Sequence, residues 1–233
     1  MIIKNPINPD LELWTGAVER IAKAGVSTIG LIHRGFSSYG NTEFRNAPMW
    51  HLAIEMKRRH PGLSMICDPS HICGRRDTIP AVIQKAVDLD YDGLIIESHT
   101  RPDEAWSDAK QQITPAELLQ ILSGITWRHE NSDQAEFIHA LARLREQINQ
   151  IDDELMLLLG RRMKVSESIG QFKKDNNITI LQTSRWNEIL GKAMQEGKKF
   201  GLSTEFITKY LEAIHLESIQ HQNKIMNQEK GNA

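Results

Sequence analysis

LSMICDPSHICG, residues 63–74, passes from an apolar, β-rich run straight into a polar turn that carries Asp68, Ser70 and His71 between Cys67 and Cys73. Comparable runs stand at IIK (2–4), STIGLIH (27–33) and DGLIIES (92–98), and each ends in polar residues: Lys4-Asn5-Pro6, His33-Arg34-Gly35 and Glu97-Ser98-His99. Helix-like amphipathic stretches near 10–24, 48–60, 78–89 and 114–122 separate them. Apolar strands alternating with crossover helices are the pattern of βα units around a parallel sheet buried on both faces. In such sheets ligands collect at the carboxyl ends of the strands, where these polar residues lie. The expected fold up to residue 122 is therefore α/β.

A change of character follows. SGITWRHENSD, residues 123–133, has no periodicity and ends in Asp133, which with Glu136 reads as a D-x-x-E capping box for a new helix. Beyond it β-rich runs stop, and helical patterns cover about 134–174, 184–197 and 203–228, linked by NNITILQTS and EGKKFGLS. The expected organisation is an α/β domain (1–122), a linker (123–133), an all-α domain (134–228) and a tail (229–233). A chain of 233 residues with 40% hydrophobic and 25% charged side chains has room for two such cores.

In the first long helical pattern, apolar residues fall at Leu144, Ile148, Ile151, Leu155, Leu158, Val165, Ile169 and Phe172, a 4-3-4-3 spacing that describes a coiled-coil-like seam. Arg162 breaks it. A guanidinium in an apolar seam is costly unless paired, although it can also snorkel from the seam edge to water. Lys173 lies eleven residues on, close to three full turns, so both cations project from nearly one face. Arg185 opens the next helix, where the macrodipole disfavours a cation. In the last helix the stripe Ile207, Leu211, Ile214 continues as Ser218 and Gln222, hydrogen-bonding groups in place of apolar ones. Together these residues describe a dry cavity suited to a small dianion with carboxylates, which arginine binds in a bidentate fork. Arg145 stands 17 residues before Arg162. That is about 25 Å along a straight helix, too far to touch the same small ligand. If Arg145 serves such a site, it serves another chain's, which makes the expected assembly a homodimer along the seam.

LREQINQIDDELMLLLGRRMKVSESIGQFKK, ILQTSRW and IHLESIQHQ, within residues 137–226, closely resemble the all-helical chorismate mutase family. The resemblance implies a three-helix domain that converts chorismate to prephenate without a cofactor. It assigns substrate binding to Arg145, Arg162, Lys173, Arg185, Ser218 and Gln222, with Arg145 contributed by the partner protomer. Lys173, Gln222 and Arg162 are the implied catalytic set. Two positions depart from the family pattern: Trp186 stands in place of the usual Glu and Gln182 in place of a commoner acid.

KNPINPDLELW, IHRGFSSY, ICDPSHICGRRD, GLIIESH and AWSDAKQQ, within residues 2–122, resemble the carboxyl-terminal half of 3-deoxy-D-arabino-heptulosonate 7-phosphate synthases of the microbial (β/α)8-barrel type. The resemblance makes His71, Glu97 and Asp108 ligands of a divalent metal such as manganese. It makes Lys4 and Arg34 the groups that hold phosphoenolpyruvate, with erythrose 4-phosphate as the second substrate. Imidazole with two carboxylates independently suits a borderline-to-hard divalent ion, and Arg with Lys suits a phosphate. The family's thiolate ligand comes from an earlier strand, and neither Cys67 nor Cys73 corresponds to it. Four strand runs, against the eight of a complete barrel, lead us to expect no synthase turnover from this chain by itself.

Two other readings of the helical half compete: a chorismate-processing lyase on the same scaffold, and a dimerisation or regulatory module for the synthase. A formal charge of −2 offers no general field for nucleic acid, and Arg75-Arg76 stand beside Asp77. The start, MIIKNPINPDLELW, has no basic segment followed by an apolar core, and no run approaches the roughly 20 apolar residues of a membrane span. A cytoplasmic protein without nucleic-acid or membrane partners is expected. Two cysteines at C-x5-C make a poor zinc pattern.

Overall fold

The computed structural model describes residues 1–40, 43–129 and 131–227. The expected tail, 229–233, and residue 228 lie outside them. The chain divides into two compact units, Met1–Ser132 and Asp133–Ala233.

In the first unit β1 (Ile2–Lys4), β2 (Gly30–His33), β3 (Ser64–Cys67) and β4 (Gly93–Leu94) form one sheet in sequence order, every neighbouring pair parallel. The helices α1 (Leu11–Lys23), α2 (Trp50–Arg59) and α4 (Ile79–Asp88) make the crossovers, and α5 (Pro115–Gly124) follows β4. This is the expected parallel α/β arrangement. β1 matches its run, but β2, β3 and β4 are shorter than theirs. The 92–98 run keeps only two residues of regular ladder, then continues irregularly through Ile95 N–H donating to Cys67 O at 2.8 Å and a lone bridge between Ser98 and Ile113.

One α-helix was not anticipated. Residues 69–73, read as a turn, form α3 (Pro69–Cys73). Asp68 caps it by accepting from His71 N–H, Pro69 opens it where no donor is needed, and Gly74 ends it at φ 66°. A Cβ at Gly74 would come within 2.5 Å of Arg45 Cβ. Both cysteines pack into the core with Ile72, Ile79, Ile83 and Ile113. Burial pushes the Cys73 thiol up to about 11 and Cys67 well above its ordinary value. Protonated core thiols are poor metal donors.

Part of the expected linker is structured. Ser123 and Gly124 are the last residues of α5, and Gln84 on α4 holds Thr126 through two 2.9 Å hydrogen bonds.

The second unit has three helices: α6 (Ala135–Asp175, 41 residues), α7 (Thr183–Lys199) and α8 (Thr204–Asn227, 24 residues). The capping box expected from Asp133 and Glu136 does not form. The helix starts at Ala135 with Gln134 as its N-cap, so Glu136 occupies the second helical position and not the third that the motif requires. α6 packs on α8 with Met163, Ser166 and Gly170 buried on one helix and Ile214, Ser218 and Gln222 on the other, while Ile207 of α8 lies against Gly197 of α7. A Cβ at Gly170 would lie 3.0 Å from Gln222 Cα, so glycine sets how closely the two helices approach. The buried stripe is therefore not the long apolar seam. Leu144, Ile148, Ile151, Leu155, Leu158, Val165, Ile169 and Phe172 are between 43% and 72% exposed within the chain.

Candidate functional site

Within the helical unit, α6 and α8 bring the expected polar residues to one place. Arg162 Nη1 donates to Ser218 Oγ, and Ser218 in turn donates to Ile214 O at 2.8 Å. Gln222, one turn further along α8, is 8% exposed, and its Oε1 is buried with no protein partner. Lys173 Nζ donates to Ile180 O at 2.5 Å. Burial lowers the pKa of both Arg162 and Lys173, as it must when a cation leaves water.

His215 was missed, although it lies three residues before Ser218 and seven before Gln222 on the same face of α8. Its ring stacks on Trp186 with centroids 4.5 Å apart and planes at 24°. Burial, and then the charges of Arg162 and Lys173, hold the imidazole below its usual pKa. It is a neutral partner among cations.

Two expected residues are not gathered here. Arg185 is exposed and pairs with Glu188 at 2.7 Å, three residues along α7. Arg145 is exposed on α6, 17 residues before Arg162, about 25 Å away along the helix.

The first unit holds a second cluster at the carboxyl ends of its strands. His71, Glu97 and Asp108 each offer a ligand atom, and these atoms lie within 4.8 Å of one another. α3 presents His71, whose Nδ1 sits 2.8 Å from Asp68 Oδ2 and whose Nε2 faces Glu97 Oε1 at 3.7 Å. Glu97 N–H donates to Ser70 Oγ at 2.9 Å, which ties the segment after β4 to α3. Asp108 adopts φ 49°, and the Arg45 guanidinium beside it holds its carboxyl below the usual range. One imidazole and two converging carboxylates fit a divalent ion of intermediate hardness.

Arg34 and Lys4 stand at the ends of β2 and β1. Asn5 joins these ends: its Oδ1 accepts from Arg34 N–H at 2.6 Å, and its amide donates to Gly35 O at 2.8 Å. Arg34 Nε is buried without a partner, a donor left for an anion, and its charge reaches Asp108. Lys4 is exposed. Sequence reasoning also missed Arg45 and Gln111, which bond the two carboxylates; Gln111 lies within the AWSDAKQQ motif, which could have drawn attention to it, whereas Arg45 carries no such signal.

Residues 1–132 match the DAHP synthetase I family, and residues 144–223 match chorismate mutase type II. A phospho-2-dehydro-3-deoxyheptonate aldolase of Thermotoga maritima is 29% identical over 113 residues, 48% of this chain and 33% of that protein. A bifunctional chorismate mutase/prephenate dehydratase of Buchnera aphidicola is 34% identical over 88 residues, 38% of this chain and 23% of that protein. A solved truncated form of the T. maritima 3-deoxy-D-arabino-heptulosonate 7-phosphate synthase superposes with a TM-score of 0.48 at 27% identity, covering 52% of this chain and 46% of that one. The chain thus covers 23% and 33% of the length of these two curated relatives.

A parallel α/β unit with a cluster of possible metal ligands, followed by an all-helical unit that brings Arg162 onto Ser218, matches a synthase-family part followed by a mutase-family part. The chain belongs to the DAHP synthetase I family and carries a chorismate mutase type II domain behind that part.

Proposed function

We propose that the helical unit catalyses the rearrangement of chorismate to prephenate and works as a homodimer. The observation that carries this reading is the half-buried Arg162 bonded to Ser218, beside Lys173 and a Gln222 amide whose oxygen has no protein partner. The reaction is pericyclic and needs neither nucleophile nor metal, so the site's contribution is geometry and charge. Arg162 and a second arginine hold the two carboxylates so that the enolpyruvyl arm lies over the ring in a near-attack conformer. Lys173 leaves Ile180 O and, with the Gln222 amide, donates to the ether oxygen as negative charge develops there. Arg185 swings from Glu188, and the partner's Arg145 closes the pocket. The exposed seam on α6 is the surface that would bring that partner in.

The test is an assay of purified chain for prephenate formed and chorismate consumed. Lys173→Ala should lower turnover about 100-fold or more, the usual cost of removing one preorganised donor, while Arg162→Leu weakens binding as well. Turnover of Lys173→Ala within a few-fold of wild type overturns the reading, and release of pyruvate in place of prephenate would mark a lyase.

For the first unit we propose a part in condensing phosphoenolpyruvate with erythrose 4-phosphate. His71, Glu97 and Asp108 would hold a manganese-like ion, and Arg34 with Lys4 the phosphoenolpyruvate. When bound, the ion supplies a Lewis acid for the aldehyde oxygen. These strands are read as half of a (β/α)8 barrel. No helix among the described residues is long and apolar enough to cross a membrane, and the composition supports a cytoplasmic enzyme without nucleic-acid partners.

A further inference from the structure

Glu97 and Asp108 come from different segments, yet one hydrogen-bonded strap joins them. Arg45 Nη1 donates to Asp108 Oδ1 at 2.7 Å and to Gln111 Oε1 at 2.8 Å. With its oxygen taken by Arg45, the Gln111 amide turns its Nε2 to Glu97 Oε2, at 2.7 Å. One oxygen of each carboxylate is thereby engaged. The other oxygen of Glu97, Oε1, is the one that faces His71 Nε2.

The strap is itself anchored. Gln111 is 1% exposed, and Arg45 N–H donates to Cys73 O at 3.2 Å, which fixes the root of its side chain against α3. Asn46 extends the anchor, its N–H donating to Ile72 O at 3.1 Å and its side-chain amide to His71 O at 2.7 Å. The segment that carries Arg45 is thus tied to the same helix that presents the imidazole.

We propose that Arg45 and Gln111 are positioning residues that set the two carboxylates for a divalent ion before the ion arrives. The inference rests on the reading of His71, Glu97 and Asp108 as metal ligands. Two effects of Arg45 oppose each other. As a cation beside Asp108 it repels a divalent ion, so charge alone predicts that its removal tightens binding. As the centre of the strap it fixes ligand geometry, and groups that orient ligands typically contribute 10–100-fold in metal affinity.

Manganese(II) titrated into the full chain, with free ion followed by electron paramagnetic resonance, separates the two. Arg45→Met and Gln111→Leu are compared with wild type and with His71→Ala, well below the melting temperature of each. The expected result is a loss of affinity of at least about tenfold in both strap variants, short of the loss in His71→Ala. Unchanged or tighter binding in Arg45→Met overturns the proposal while leaving the metal site standing. Wild type that takes up no manganese removes the site and the proposal with it. If the buried Gln111→Leu variant does not fold, Arg45→Met keeps the test, because the Arg45 side chain is 48% exposed.

Discussion

His33 is a histidine that its surroundings keep neutral near pH 7. It is fully buried, with Nε2 2.6 Å from Pro48 O and Nδ1 2.8 Å from the Tyr91 hydroxyl. The neutral tautomer that donates from Nε2 and accepts at Nδ1 satisfies both. Burial pushes its pKa down to about 4, against the smaller opposing pull of Pro48 and Asp68. The unfolded chain therefore binds this proton below about pH 6.5 while the folded one does not, and stability falls as pH drops from about 6.5 to 4. The loss at pH 4.5 should be about 2–3 kcal/mol. Urea denaturation at pH 7 and 4.5 checks it, since His33→Gln should remove most of the acid-dependent part. The sequence placed His33 at a strand end, among residues read as ligand-facing, yet its ring packs among Phe36, Trp50 and Tyr91. Alternation along so short a strand cannot say which neighbours are core; the family resemblance set His71 apart as a ligand, but only the fold shows the His33 ring among core aromatics. Arg45 and Gln111 show the converse problem, because their roles depend on partners 63 and 66 residues apart in sequence.

At the scale of elements, the long periodic patterns were the readable part. The helices α6, α7 and α8 lie within a few residues of their expected bounds, because 3.6-residue periodicity over many turns is a strong signal. Which stripe of α6 faces α8 was harder to read. The 4-3 spacing of large apolar residues drew attention to the seam, whereas the face against α8 uses Met163, Ser166 and Gly170, small or flexible residues with little hydrophobic signature. Close approach is what that face trades on. Gly170→Val should cost about 1–3 kcal/mol, since the added methyls meet α8 backbone, which cannot move aside like a side-chain tip. Thermal melting monitored by helical signal measures it, and a melting temperature equal to wild type would contradict the packing described. α3 escaped notice for a different reason: five residues are too few to show a period, although Asp68, Pro69 and Gly74 each carried a boundary signal.

For the molecule as a whole, the shared-site proposal makes a demanding prediction. Arg145→Ala and Arg162→Leu should each be nearly inactive as a mutase alone. A mixture refolded together should regain activity, because a hybrid dimer pairs an intact Arg145 with an intact Arg162 in one of its two sites and both lesions in the other. If each pocket is built within one chain, mixing restores nothing. Within the chain the seam is only partly covered, its side chains being between 43% and 72% exposed. The change in pattern near residue 123 led us to expect a division there, and the two compact units meet at Ser132 and Asp133; the pinning of Thr126 by Gln84 depends on a pairing 42 residues apart that no local pattern carries.

The unequal lengths of α6 and α8 carry a last consequence. At about 1.5 Å per residue, 41 residues reach roughly 60 Å and 24 residues roughly 36 Å, so α6 overhangs its neighbour like a cantilevered beam. An unsupported overhang frays, while a braced one does not. Amide deuteration of residues 135–150 should therefore speed up sharply on dilution, with residues 160–172 far less affected, making the beam's free end a gauge of whether a second molecule is holding it.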